Sequence, residues 1–354
     1  MRSIAVSLVA SVLLSLPLFA APEAWQPLPA PVAAKLEGTS VSLYELKQDG
    51  TEVAHSQGDL IETTPLRIAS VTKTFVAATA LRLVEEGKLD LSKPMTAYVD
   101  SAYTDILRED GYDVDAITVK QLMSHTGGLT DHAQTKTFFD IIVEDPSHVW
   151  TREQALRGAV DWSDPKGAPG EKFSYSDTGY ILLGHIIEKL TGQSLASSVR
   201  TLLGLDEIGM PDTYWELAEE NEGAARRRAH QMLNGMDTHS WSATLDHYGG
   251  GGLVSSTRDM ARFFKALFGG KVFKHPETLK LMLSKEGLPE DSPYRLGIFV
   301  KEEQGVPYYE HSGFWGTIVL YIPSSGRTLS GAVLDQAHFK TMREGLMQAV
   351  AAAP

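Results

Sequence analysis

The sequence predicts an α+β fold: an antiparallel sheet built from both chain ends and flanked by helices, with a mostly helical region inserted between. Three observations carry this. SVSLYEL (40–46) and TEVAHSQG (51–58) alternate apolar and polar residues on either side of KQDG, as a hairpin does. From about Asp90 to Thr244 the pattern turns helical, with loops rich in Gly, Pro, Asp and Thr. From Tyr294 strand-like runs return: YRLGIFVKEE, VPYYEHSG, TIVLYIPSSG and RTLSGAVLDQ, separated by Gly, Pro and Ser turns.

Ahead of the hairpin, MRSIAVSLVASVLLSLPLFAAPEAW has one basic residue, Arg2, an apolar run from Ile4 to Leu18, then small residues. This is the layout of a secretory signal, residues 1–21, cleaved after Ala20 or Ala21. The run is short for a membrane span and Pro17 interrupts it, although an uncleaved anchor is the alternative. A periplasmic or secreted location follows, with no stable membrane insertion after cleavage. Residues 22–350 are expected to form one region: an α/β part at about 22–88 and 245–350, and a helical part at about 89–244. Within them a helix opens near Ser70 and stops at Gly87. YILLGHIIEKLTG (180–192) and DMARFFKALFGG (259–270) are amphipathic helices with glycine stops, and a last helix starts at about Lys340.

The 354 residues carry a net charge of −13 with no Lys/Arg cluster, so nucleic acid is excluded as a partner. There is no cysteine, hence no disulfide, no lipid-modified cysteine and no thiolate chemistry.

Lys73 is the first residue that composition does not explain. It lies in the apolar run of IASVTKTFVAATALRLVEEG (68–87), three positions after Ser70 and so on the same helix face. A lysine in apolar surroundings has its pKa lowered by burial and can take a serine proton. The helix N-terminus adds positive potential and free N–H groups at Ser70. Spacing alone is weak support. Ser163-Asp-Pro-Lys166 has the same spacing, though Pro165 keeps it off a helical turn. A snorkelling Lys73 with its tip in water is the plainer reading.

Two further motifs change the weighing: Tyr175-Ser176-Asp177 in FSYSDTGY, and His311-Ser312-Gly313 in YYEHSGFWGT. With these, nearly all of the mature chain resembles the serine penicillin-recognising hydrolases. That family comprises class C β-lactamases, D-Ala-D-Ala carboxypeptidases and related esterases and aminopeptidases. Ser70-x-x-Lys73 matches the first motif, Tyr175-x-Asp177 the second (usually Tyr-x-Asn), and His311-x-Gly313 the third. LMSHTGGLTD and GGLVSSTRDMARF are similar to supporting stretches of the family.

The resemblance implies a β-lactamase/transpeptidase-like fold, on which the fold class mainly rests. It also implies an acyl-enzyme on Ser70, with Lys73 and Tyr175 sharing the base role. Lys73 would lower the pKa of Tyr175. The N–H groups of Ser70 and Phe314 would form the oxyanion hole, and Gly313 would let substrate approach the strand. Asp177, Ser312 and His311 would face the substrate. Asp177 departs from the pattern: ionised, it accepts only, so it would hold Lys73 charged or receive a substrate N–H or ammonium. Capping the helix that starts at about Thr178 is its alternative role. His311 replaces a lysine that would grip a substrate carboxylate, and near pH 7 it is neutral or weakly cationic.

These departures point to an exported D-Ala-D-Ala carboxypeptidase-like peptidase or esterase acting on a D-amino-acid peptide, ester or β-lactam without a cofactor. A true class C-like β-lactamase and a penicillin-binding or sensor module without turnover are the alternatives. The resemblance places His125 in a structural loop and His132 near the cleft lip, where the family has substrate-contacting side chains. Neither belongs to a zinc-binding pattern, so no metal is expected. Gly249–Gly252 has no Gly-Lys-Ser/Thr after it and lets backbone pass close to the cleft. No Gly-x-Ser-x-Gly elbow occurs. Trp315 lines the acyl pocket or serves as a core or surface aromatic.

Overall fold

The computed structural model describes residues 23–24, 30–219 and 228–351. The expected signal segment, 1–21, lies outside them. Along the chain come β1 (Glu23–Ala24), α1 (Ala30–Lys35), β2 (Val41–Leu46), β3 (Glu52–Gln57), β4 (Leu66–Arg67) and α2 (Thr72–Glu85). The middle holds α3 (Ser101–Glu109), α4 (Val119–Met123), α5 (Lys136–Glu144), α6 (Arg152–Asp161), α7 (Asp177–Thr191), α8 (Leu195–Leu203) and α9 (Leu205–Ile208). Short strands follow: β5 (Tyr214–Trp215), β6 (Met232–Leu233), β7 (Met236–Asp237) and β8 (Leu253–Ser255). The chain then runs through α10 (Thr257–Phe268), α11 (Pro276–Leu283), β9 (Phe299–Glu303), β10 (Val306–Gly313), β11 (Thr317–Ile322), β12 (Arg327–Val333) and α12 (Phe339–Ala351).

The main sheet has the order β1-β3-β2-β12-β11-β10-β9. The two chain ends therefore meet inside it, where β2 runs antiparallel to β12 with Leu43 opposite Gly331. Both faces are covered. Val41 and Leu43 join Leu346 and Val350 of α12 on one side, and Tyr44 and Leu46 meet Ala261 of α10 on the other. That double burial is why VSLYEL alternates in sequence and yet is buried throughout.

The helical region packs on α2, which is buried from Thr72 to Leu83 between it and the sheet. Gly192 and Gly204 close α7 and α8 in the left-handed region, and Ser256 caps α10 through its bond from Asp259 N. Two boundaries differ from the sequence expectation. Ser70 sits in a 3₁₀ turn, Ala69–Val71, just ahead of α2. The strand expected from Tyr294 begins only at Phe299, because residues 294–298 turn inward against α2. A Cβ on Gly297 would lie 2.3 Å from Ala77 Cβ. No described helix is long and apolar enough to cross a membrane.

Candidate active site

The Ser70 turn is fixed from three sides. Ile68 N donates to Leu253 O at 3.1 Å and Leu253 N donates to Thr72 Oγ1 at 3.3 Å, which ties the turn to β8. Thr317 Oγ1 donates to Ile68 O at 3.2 Å. At Gly313 a Cβ would lie 2.1 Å from Ile68 O, so only glycine lets β10 approach the turn this closely. Ala69 holds φ +43°, an uncommon backbone state for a side-chain-bearing residue, immediately before Ser70.

Lys73 does not snorkel; it is fully buried. Its Nζ lies 2.9 Å from Ser70 Oγ, 2.6 Å from Gly250 O and 2.5 Å from Asp177 Oδ1. Burial alone would lower its pKa, as the sequence suggests. Asp177, followed by Tyr175 and Asp246, overcomes that and raises it above the usual lysine range. The expected lowering of Lys73 is thus corrected: Asp177 holds it charged. Tyr175 needs the same correction. Burial raises its pKa, Lys73 lowers it, and the net shift is upward, so the phenol keeps its proton although it hydrogen-bonds Ser70 and Lys73. Asp177 does not cap. It is the first helical residue of α7, after Ser176, and its carboxylate turns to Lys73.

The Ser163–Lys166 pair shows how little distance decides. Lys166 Nζ also lies 2.9 Å from its serine Oγ, but on an exposed loop outside the cleft.

Two carboxyl groups that the sequence reading passes over complete the site. Asp131 and Asp246 line the same cleft as Asp177, and burial followed by the Asp177 charge pushes each up to about 7. Asp131 accepts from Ala133 N at 3.0 Å and Gln134 Nε2 at 2.8 Å. The glycine run makes room for the acids. A Cβ on Gly251 would lie 1.9 Å from Asp246 Oδ2, and one on Gly250 would lie 3.1 Å from Asp177 Cγ.

His311 is buried and uses both ring nitrogens. Nδ1 faces Ser312 O at 3.0 Å, which can only accept, so Nδ1 carries the proton. Nε2 then accepts from Tyr294 O–H at 2.9 Å. Burial, followed by the Lys73 charge, lowers its pKa to about 3. His311 is therefore neutral, one of the two states the sequence allows.

Ser312, Gly313, Phe314 and Trp315 line the cleft, with a turn from Gly313 O to Gly316 N at 3.1 Å presenting Phe314. Trp315 fills both roles open to it, facing the cleft while packing on Trp241 at 6.0 Å. His132 does not reach the lip. It is buried behind the wall, edge-on to Phe138, with Nδ1 3.5 Å from Thr178 Oγ1. His125 is structural: its Nδ1 accepts from Ser176 N at 3.1 Å and its ring lies 4.2 Å from that of Tyr175.

The cleft measures about 400 Å³. Its walls include Phe138, Phe139, Phe299, Phe314 and Phe339; among the described residues, its charged lining is Asp131, Asp177 and Asp246, with no lysine or arginine.

Comparison with known proteins agrees with this arrangement. The family model described as Beta-lactamase matches residues 38–343. Protein flp of Staphylococcus aureus (strain N315) is 32% identical over 316 residues, 81% of this chain and 59% of that protein. The chain thus spans about six tenths of the length of that relative. A D-stereospecific amidohydrolase from Streptomyces sp. superposes with a TM-score of 0.78 at 23% identity, covering 90% of this chain and 96% of that one. D-amino acid amidase from Ochrobactrum anthropi SV3 gives 0.74 at 22%, covering 91% and 98%. The architecture is therefore the β-lactamase/transpeptidase-like fold. With its Ser-x-x-Lys, Tyr-x-Asp and His-x-Gly motifs around one cleft, the chain belongs to the Beta-lactamase family, a family of serine hydrolases.

Proposed function

We infer that the protein is an exported serine acyl hydrolase that cleaves amide or ester bonds through an acyl-enzyme on Ser70. Its acyl donors carry an ammonium group and an apolar side chain. One observation carries the substrate reading: among the described residues that line the cleft the charged ones are Asp131, Asp177 and Asp246, while Lys73 beside Ser70 is fully buried and already paired with Asp177, and His311 is neutral. A penicillin or a D-Ala-D-Ala peptide brings a carboxylate, which meets no unpaired cation among the described residues lining the cleft, since Lys73 is engaged by Asp177. The carboxypeptidase and class C-like β-lactamase readings are therefore less well supported than an amidase, aminopeptidase or esterase. Two structural relatives are named as an amidohydrolase and an amidase, which agrees. Export rests on the signal layout of residues 1–21.

In this reading Lys73 first yields a proton to Asp177 or solvent. Ser70 Oγ attacks the carbonyl carbon and its proton passes to Lys73 across their 2.9 Å contact. The oxyanion forms between the N–H groups of Ser70 and Phe314. Tyr175 gives its proton to the leaving nitrogen or oxygen and is reprotonated by Lys73. Water then attacks the ester carbonyl, giving its proton back through the same groups, and the acid leaves as Ser70 recovers its hydroxyl.

The test compares kcat/KM for a D-phenylalanine p-nitroanilide, its N-acetyl counterpart and benzylpenicillin. The free ammonium compound is expected to lead by at least tenfold, with Asp246→Asn narrowing the gap. Equal rates with the N-acetyl compound, or benzylpenicillin as the best substrate, would remove the ammonium reading.

A further inference from the structure

Gln231 does not line the cleft and belongs to none of the three motifs, yet it is buried to 1% exposure beside the nucleophile's strand. Its carboxamide is fully used. Oε1 accepts from Arg67 N at 2.9 Å, and Nε2 donates to Arg67 O at 3.0 Å and to Trp315 O at 3.1 Å. Arg67 ends β4, three residues before Ser70, and Trp315 follows Phe314 directly. One side chain therefore binds the two backbone segments whose N–H groups form the oxyanion hole.

Gln231 is itself anchored. Its carbonyl accepts from Thr238 N at 3.0 Å and Thr238 Oγ1 at 2.8 Å, closing the base of the β6–β7 hairpin. Met232 N donates to Leu334 O at 2.6 Å, which ties that hairpin to the end of β12. Arg67 adds a second hold on the hairpin's far side through Trp241 O at 2.7 Å. Gln231 thus joins strand β4 to the 313–316 turn between β10 and β11, alongside the direct bond from Thr317 Oγ1 to Ile68 O.

We propose that Gln231 is a positioning residue for the reaction: its carboxamide sets the separation of the Ser70 and Phe314 N–H groups and so the strength of the oxyanion hole. The reasoning is geometric. Oxyanion donors act only when held at hydrogen-bond distance from the developing charge, so a displacement of a fraction of an ångström weakens the transition state and leaves ground-state binding alone. The proposal rests on the acyl-enzyme reading.

The experiment uses p-nitrophenyl butyrate and phenylboronic acid on the full chain, with Gln231→Met as the near-isosteric variant lacking all three bonds. Active-site labelling by a fluorophosphonate is run alongside. Expected is a fall in kcat of roughly ten- to a hundredfold, below the 10²–10³ of losing a donor outright. The affinity for phenylboronic acid should fall by the same factor, while KM moves less than about threefold. A merely structural role would lower the active fraction and leave kcat per labelled site and boronate affinity unchanged, and that result would overturn the proposal. Gln231→Glu covers the case of a misfolded methionine variant. It keeps the acceptor for Arg67 N and turns a carboxylate oxygen against Trp315 O, so the same split is expected. A folded Gln231→Glu enzyme with full kcat and boronate affinity also overturns it. Absence of fluorophosphonate labelling in the parent protein would instead bring down the acyl-enzyme reading, and this proposal with it.

Discussion

Asp177 Oδ1 stands 2.5 Å from Lys73 Nζ, nearer than Ser70 Oγ at 2.9 Å. The second motif's usual asparagine would offer Lys73 no charge. The aspartate makes an ion pair with a fully buried ammonium and so determines the resting protonation of the site.

Asp177→Asn removes that charge and leaves burial to dominate at Lys73, whose pKa should drop. The acidic limb of kcat/KM for p-nitrophenyl butyrate is expected to move to lower pH, and acylation by benzylpenicillin to rise. Unpairing the buried ion should also lower stability by roughly 3 kcal/mol, read from urea unfolding. An unchanged pH profile with unchanged penicillin reactivity would count against the role given to Asp177.

Gly251→Ala places a methyl where Asp246 Oδ2 now lies, 1.9 Å from the built Cβ. The carboxylate must move. Stability is expected to fall by about 1–3 kcal/mol, as for other overpacked sites, and KM for an ammonium-bearing anilide to rise several-fold. KM for p-nitrophenyl butyrate should stay put; parallel changes in both would show that Asp246 has no special link to the ammonium.

Protonation of Asp131 and Asp246, both raised to about 7, should weaken ammonium binding as pH falls. KM for D-phenylalanine p-nitroanilide is expected to climb between pH 7.5 and 5.5, where its amine, with a pKa near 7.7, is increasingly charged. The sign also applies to stability. Folded carboxyl groups with raised pKa bind protons that the unfolded chain releases, so their contribution weakens as pH rises from about 4 to about 7. A KM that falls on acidification would exclude these carboxylates as the ammonium's partners.

The imidazole of His311, lowered to about 3, should not titrate between pH 8 and 5. Nitrogen chemical shifts are expected to show one neutral tautomer, protonated at Nδ1, throughout that range. Because its folded pKa lies below the unfolded value, the stability it contributes is full above about 6.5 and is lost as pH falls towards 3. A midpoint near 6.5 would return a cation to the cleft and reopen the carboxypeptidase reading.

Much of this architecture is visible in local pattern. The hairpin at 40–58, the strands from 306 to 333 and the helices at 180 and 259 all rest on periodicity and on turn or cap residues, which are properties of adjacent positions. The Ser70–Lys73 contact is equally local, a matter of three residues on one turn. What escapes the sequence is what the fold brings together from afar. Asp131 and Asp246 carry no motif, and only the packing of Gly250 and Gly251 against the acids shows why the glycines are there. The direction of the Lys73 shift could not be read from its apolar neighbours, since Asp177 outweighs them. Tyr294 and Gln231 act through hydrogen bonds to His311 and Trp315 that no spacing announces. His132 departs from its expected place for the converse reason: a polar residue beside the cleft turns inward behind Phe138.

The most direct measurement is the intact mass of the protein quenched within seconds of mixing with p-nitrophenyl butyrate, for the parent chain and for Ser70→Ala. A butyryl adduct confined to Ser70, which decays as product appears, and a folded Ser70→Ala protein with neither adduct nor turnover are the expected results. Turnover by Ser70→Ala, or an adduct that survives the substitution, would contradict the acyl-enzyme at Ser70 on which everything above depends.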